Sequence, residues 1–210
     1  MFYRFVRKAD IQFRIPRFLT TTKGTKTMYQ LTKHQPHHVP WNKGKLVGQK
    51  LPLKLQEIWA VRIHLEIRGQ HRNLALFNLA IDSKLRACDL LRLRVSDVSN
   101  GGRVGSRAMI LQKKTARPVQ FEITSRTREA ISAWIQHAGL GSNAYLFPSR
   151  NSRMFHLSTR QYARIVESWV AEIGLDSTVY GTHSLRRTKA SLIYRRTKNL
   201  RAVQLVRRQQ

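Results

Sequence analysis

Lys84-Leu85-Arg86-Ala87-Cys88-Asp89-Leu90-Leu91 and, about a hundred residues later, His183-Ser184-Leu185-Arg186-Arg187 decide how this chain is read. Each segment sets charged side chains into an otherwise apolar, helical pattern. A guanidinium stays protonated and can donate to two phosphate oxygens at once, which an ammonium cannot. Two arginines and a histidine in such segments suggest a site that grips a phosphodiester and stabilises charge developing on it. His183 and Arg186 are three residues apart, so a helix puts both on one face.

Composition points the same way. Lys and Arg total 39 against 11 Asp and Glu, a formal net charge of +28. That imbalance repels itself unless a polyanion is near, so nucleic acid is the default partner. An anionic membrane surface is the rival, but no apolar run approaches the ~20 residues of a spanning helix. With 210 residues, 41% of them hydrophobic, the chain can hold one sizeable core and a loose extension. Cys88 is the single cysteine; it excludes an internal disulfide framework, fits a reducing cytoplasm and reads as a small core residue. The scattered carboxylates offer no pair at two-metal-nuclease spacing. His34, His37 and His38 read as a solvated loop, so no metal is expected.

Residues 1–50 carry eleven Lys or Arg and one acid, Asp10, with Pro36, Pro40 and Gly44 and no sustained apolar period. They read as a basic, largely irregular arm. Their Arg-rich, acid-poor start suits a transit peptide, or a mis-assigned start with Met28 as initiator; the second is favoured. Leu55, Ile58, Trp59 and Leu65 then keep helical spacing until Gly69. A second helix is predicted over Arg72–Ser83 with Leu74, Phe77, Ala80 and Ile81 on one face. Arg86–Leu93 reads as a helical turn or two, and residues 97–102 as a turn. Residues 107–112 and 117–123 alternate as two strands of a hairpin joined by Lys113-Lys114-Thr115-Ala116. Thr124 opens a helix with the stripe Ala130, Ile131, Trp134, Ile135 and Ala138, ended by Gly139. Leu157–Ile173 is the clearest helix, with a Ser158/Gln161 capping box and Tyr162, Ile165, Val166, Trp169, Val170 and Ile173 on one face. A last helix follows Thr182 and carries Arg195 and Arg196. The fold class expected is α+β, mostly helical, with a small antiparallel sheet.

A helix-borne Arg, a hairpin Lys and a His-x-x-Arg in that order resemble the tyrosine recombinase (phage integrase) family. The segments that carry the likeness are Leu85–Leu90, Gln112–Val119 and Thr182–Thr188, and it covers about residues 53–205. The resemblance implies that family's catalytic core, with 51–205 as its domain and 206–210 as a non-family tail. It implies site-specific DNA recombination and integration through a phosphotyrosyl intermediate, without a cofactor. Arg86 and Arg186 match the two catalytic arginines, and His183 the general-base or hydrogen-bonding position. Lys113 and Lys114 compete for the hairpin lysine that protonates the leaving oxygen; Lys114, directly before Thr115, is preferred. Asp89 matches an acid that braces Arg86. Lys113, Arg117, Arg187, Arg195 and Arg196 are the further expected DNA contacts, and the family pattern implies homo-oligomers on DNA in a bacterial, nucleoid-associated setting.

The family continues into a Gly-His segment and a nucleophilic tyrosine. Here Asn199–Leu205 fits, and Val206-Arg207-Arg208-Gln209-Gln210 does not. The expectation is a reading frame lost after Leu205, leaving no nucleophile and little activity alone; Tyr194, eight residues past Arg186, is not expected to replace it. The rival functions are a non-catalytic basic DNA-binding remnant and an RNA-binding protein.

Overall fold

A computed structural model describes residues 48–149 and 155–208. Most of the basic arm, Met28 and the three loop histidines lie outside the described residues. The observed order is α1 (Leu55–Ile67), α2 (His71–Ser83), α3 (Ala87–Leu90), α4 (Val95–Val98), β1 (Ser99–Asn100), β2 (Arg103–Val104), β3 (Arg107–Leu111), β4 (Pro118–Glu122), α5 (Ser125–Ala138), α6 (Thr159–Glu172), α7 (Thr182–Thr197) and α8 (Leu200–Arg208). It is the mostly helical α+β fold expected, with two small antiparallel hairpins rather than one. No described helix is long and apolar enough to cross a membrane.

The core is organised around α2. Every residue from Ala75 to Ser83 is buried, so the predicted one-sided stripe understates it: α1, α5 and α7 all pack on this helix, and a helix covered all round is core. Its polar residues are buried with partners. Asn78 accepts from Arg62 Nε at 2.7 Å, and Asp82 accepts from Thr124 and Thr127 of the α5 entry. On α1 the buried residues are Ile58, Val61 and Leu65. Leu55 and Trp59, expected on the core stripe, are 56% and 39% exposed. Trp59 instead lies under the guanidinium groups of Arg62 and Arg126, at 5.5 and 4.4 Å, an arrangement that suits a large ring at the surface.

Helix α5 begins after Thr124 and ends at Gly139 in the left-handed region (φ 59°), as its signals predict. Helix α6 buries Tyr162, Val166, Trp169 and Val170, and Trp169 meets Phe77 edge-on at 5.5 Å. Ser158 Oγ accepts the Gln161 N–H at 3.1 Å, the backbone half of the predicted capping box. Ser158→Ala should lower stability by about 1 kcal/mol, read as a shifted denaturant midpoint with unchanged slope.

The predicted turn at 97–102 is shorter than expected. Asp97 and Val98 close the one-turn helix α4, and the reversal falls on Gly101 and Gly102, both at positive φ. The β3–β4 register pairs Arg107 with Glu122 and Leu111 with Pro118. It turns Ala108, Val119 and Phe121 inward and leaves Met109 and Leu111 exposed. The last predicted helix is two: Lys198 adopts φ 52°, and Asn199 Oδ1 accepts from the Arg201 and Ala202 N–H groups at 2.8 and 3.3 Å, opening α8.

Candidate functional site

The end of α2 sets up the site. Lys84 caps that helix in the left-handed region (φ 53°, ψ 19°), which turns the chain sharply. Arg86, in extended backbone, then becomes the residue that opens α3. The β3–β4 hairpin supplies Gln112, only 4% exposed. Its Oε1 accepts from Arg86 Nη1 at 3.1 Å and from Thr115 Oγ1 at 2.8 Å. Asp89, its side chain 2% exposed, lies with Oδ2 at 3.9 Å from Arg86 Nη1. Its Oδ1 accepts the Lys113 N–H at 3.0 Å. The buried carboxylate thus ties the hairpin to the helix that follows Arg86.

Helix α7 approaches from the other side. The Gly181 N–H donates to Ser184 Oγ at 3.1 Å at its start. Ser184, Leu185 and Thr188 are buried, and His183, Arg186 and Arg187 are carried to the opposite edge. Arg186 Nε donates to the Lys84 carbonyl at 2.9 Å. That bond joins the two motif segments directly, across 102 positions of sequence. Lys84, Arg86, Gln112, His183, Arg186 and Arg187 line one cleft of about 780 Å³. Arg187 also donates to the Lys50 carbonyl at 3.1 Å, which pins the segment entering α1. Burial, reinforced by the charges of Lys189 and Arg186 and opposed by Glu122, pushes the Lys84 ammonium down to about 8.

Other candidates stand apart. Lys114 is exposed on the hairpin connection and does not line the cleft. Lys113 borders a separate depression of about 290 Å³ beside Asp89 and Arg92. The reason is local: Gln112 points inward, and the four residues after it turn outward through Ala116 at φ 49°. Arg117, Arg195 and Arg196 are likewise exposed and outside the cleft lining. Tyr194 does line it, about 12 Å along α7 from Arg186 by helical rise. Among the described residues no three His, Cys, Asp or Glu side chains cluster as metal ligands.

Sequence reasoning gave no role to Gln112 or Lys84. Gln112 carried a legible signal: it continues the inward period of Ala108 and Ile110, and a polar side chain on an inward position demands a partner. Lys84 carried none, because its place depends on where α2 stops.

Residues 57–206 match the phage integrase family. The chain belongs to that family. Among similar proteins, a probable integrase/recombinase YoeC of Bacillus subtilis (strain 168) is 30% identical over 152 residues, covering 72% of this chain and 78% of the relative. Tyrosine recombinase XerC of Neisseria gonorrhoeae (strain ATCC 700825 / FA 1090) is 27% identical over 162 residues, covering 74% of this chain and 51% of its own length. The crystal structure of XerA recombinase superposes with a TM-score of 0.62 at 19% identity, over 75% of this chain and 55% of that one. This integrase-family chain therefore shares the recombinase fold and spans about half the length of the last two proteins.

Proposed function

We propose that this chain binds duplex DNA across the cleft and forms the phosphate-activating part of a site-specific DNA breaking-and-rejoining centre. Arg86 and Arg186 take the non-bridging oxygens of one backbone phosphate, where guanidinium charge offsets the negative charge that grows in the transition state. His183 hydrogen-bonds the same group or moves a proton at it. Lys114 is the proton donor to the leaving oxygen. It shares a hairpin with Gln112, so a duplex laid over the cleft also crosses Lys113, Lys114 and Arg117. Arg187, Arg195 and Arg196 follow the backbone along α7, and copies of the chain assemble on DNA as the family pattern implies. The observation that carries this reading is the Arg186–Lys84 bond, which holds both arginine segments at one cleft.

Affinity for duplex DNA should fall linearly on a log–log salt plot, by about a thousandfold between 50 and 200 mM salt for roughly six neutralised phosphates. Equal affinity for structured RNA, with no response to substitution of Arg86, would instead favour RNA binding. On a nicked suicide duplex, Tyr194 should form no covalent adduct, because its position along α7 sets it off from a phosphate seated on Arg86 and Arg186. An adduct lost in Tyr194→Phe would overturn that placement.

A further inference from the structure

Four large apolar residues of α1 face outward at the spacing of one helix row. Leu55, Trp59, Ile63 and Ile67 follow at every fourth position and are 56, 39, 50 and 81% exposed. Ile58, Val61 and Leu65 of the same helix are buried. Residues four apart form a ridge along a helix, so α1 is apolar on two faces, one in the core and one outside it. Single apolar residues at a surface are ordinary, whereas a continuous row marks a contact face. None of the four lines the phosphate cleft.

We infer that this ridge is the contact face between two copies of the chain, which pair through α1 in the absence of DNA. The inference goes beyond the DNA-binding function proposed above and does not depend on it. Shape favours a second copy, because the row is self-complementary. A two-fold axis through its middle sets Trp59 of one copy against Ile63 of the other and Leu55 against Ile67, and such rows interlock when two helices cross at about −50°. Ala60, exposed beside the row, is small enough to let the helices approach.

Area and charge agree. The ridge exposes roughly 450 Å² on each copy, so with Gln56 and Ala60 beside it a pair buries about 1,000 Å², the lower bound of a specific interface. The other exposed residues of α1, Gln56, Ala60 and Glu66, carry no positive charge, in a chain of net charge +28. Positive charge enters only beside Trp59, whose ring lies under Arg62 and Arg126. Pairing brings two such sets of guanidinium groups together. Salt screens that repulsion, so it should strengthen the pairing, whereas it weakens phosphate binding.

The test is sedimentation velocity of the full chain without DNA, over about 1–100 µM protein and in about 150 and 500 mM salt. The wild type should pass from monomer to dimer within that range, and at lower concentration in the higher salt. Ile63→Gln/Ile67→Gln places good helix formers at exposed positions. It should melt no lower than wild type at a concentration where both are monomers, and its pairing should weaken by about tenfold or more. In a Cys88→Ser background, a short bis-maleimide should link Ala60→Cys chains into dimers and leave Lys114→Cys chains, altered on the exposed hairpin connection, as monomers. A wild type that stays monomeric throughout overturns the inference and leaves the ridge to another segment or to a different protein. A dimer that the double variant forms equally well also overturns it, as does equal linking from both cysteines. With no DNA present, these outcomes are separate from success or failure of the phosphate cleft.

Discussion

Replacing Arg86 with alanine is expected to weaken duplex binding by about ten- to a hundredfold and to destabilise the fold at the same time. A charge-assisted hydrogen bond to phosphate contributes roughly 1.5–3 kcal/mol, which sets the first number. The second effect comes from Asp89. Its carboxylate is almost fully buried, and its Oδ2 accepts no hydrogen bond from the described residues. The Arg86 guanidinium at 3.9 Å is therefore its counterion. Removing that charge leaves an uncompensated carboxylate, at a cost of about 1–2 kcal/mol after discounting for the partial exposure of Arg86. It also leaves Gln112 Oε1 with one donor fewer. The double variant Arg86→Ala/Asp89→Asn separates the two effects. The amide keeps an acceptor for the Lys113 N–H and carries no charge, so most of the stability should return while DNA binding stays low. Chemical denaturation and anisotropy on the same samples check this. Recovery of DNA binding in the double variant would mean that Arg86 acts by holding the fold rather than the phosphate.

Where the sequence could be read, its signals were local. Helices α5 and α6 start and stop at residues whose chemistry acts within one turn: the Ser158 hydroxyl, the left-handed Gly139 and apolar stripes in phase with 3.6 residues per turn. The break between α7 and α8 was also written locally, in Asn199 as the residue that opens a new helix. The stop before it is not legible in the same way, because Lys198 takes a left-handed conformation that lysine does not advertise. Helix α1 went differently. Counting apolar residues admits both Trp59 and Val61 to a core stripe, and only the neighbours decide. Arg126 arrives from α5 to cover the indole from outside, so tertiary packing overrode the period.

The site divides along the same line. Arg86, His183 and Arg186 were identifiable by residue type and order, and they line one cleft because α7 lies against the end of α2. What fixes them there is a backbone carbonyl, a buried glutamine and a turn conformation. None of these is a property of the residue that carries the charge. The exposed Lys114 shows the converse: the lysine expected at the site stands outside the cleft lining, since a four-residue connection decides where it points. Residue identity picked out the charged side chains, and non-local hydrogen bonds brought them to one cleft.

The same logic makes Asp82→Ala the substitution with the largest expected effect on stability, about 3 kcal/mol. Asp82 is 5% exposed. Its Oδ2 accepts from the Thr124 N–H at 3.0 Å, Thr124 Oγ1 at 2.8 Å and Thr127 Oγ1 at 2.6 Å. A carboxylate from α2 thereby caps the N-terminus of α5, where negative charge is favourable and Thr127 has no access to water. Alanine removes the acceptor from three donors at once: Thr124 is exposed and its two donors turn to water, whereas the fully buried Thr127 hydroxyl carries a desolvation penalty of about 1–3 kcal/mol and the lost helix cap about 1 kcal/mol more. Asparagine keeps one acceptor oxygen without the charge, so Asp82→Asn should lose roughly half as much. The effect should reach the cleft. The Asp82 carbonyl accepts from Lys189 Nζ at 3.3 Å, two residues before the Lys84 carbonyl accepts from Arg186, so this turn of α2 is where α5 and α7 are both held. Thermal melts of the two variants should rank alanine below asparagine below wild type. DNA affinity, measured well below the melting temperature, should fall in the same order. Equal melting temperatures for alanine and wild type would show that the three donors find water instead, and that Asp82 does not hold α5 to α2.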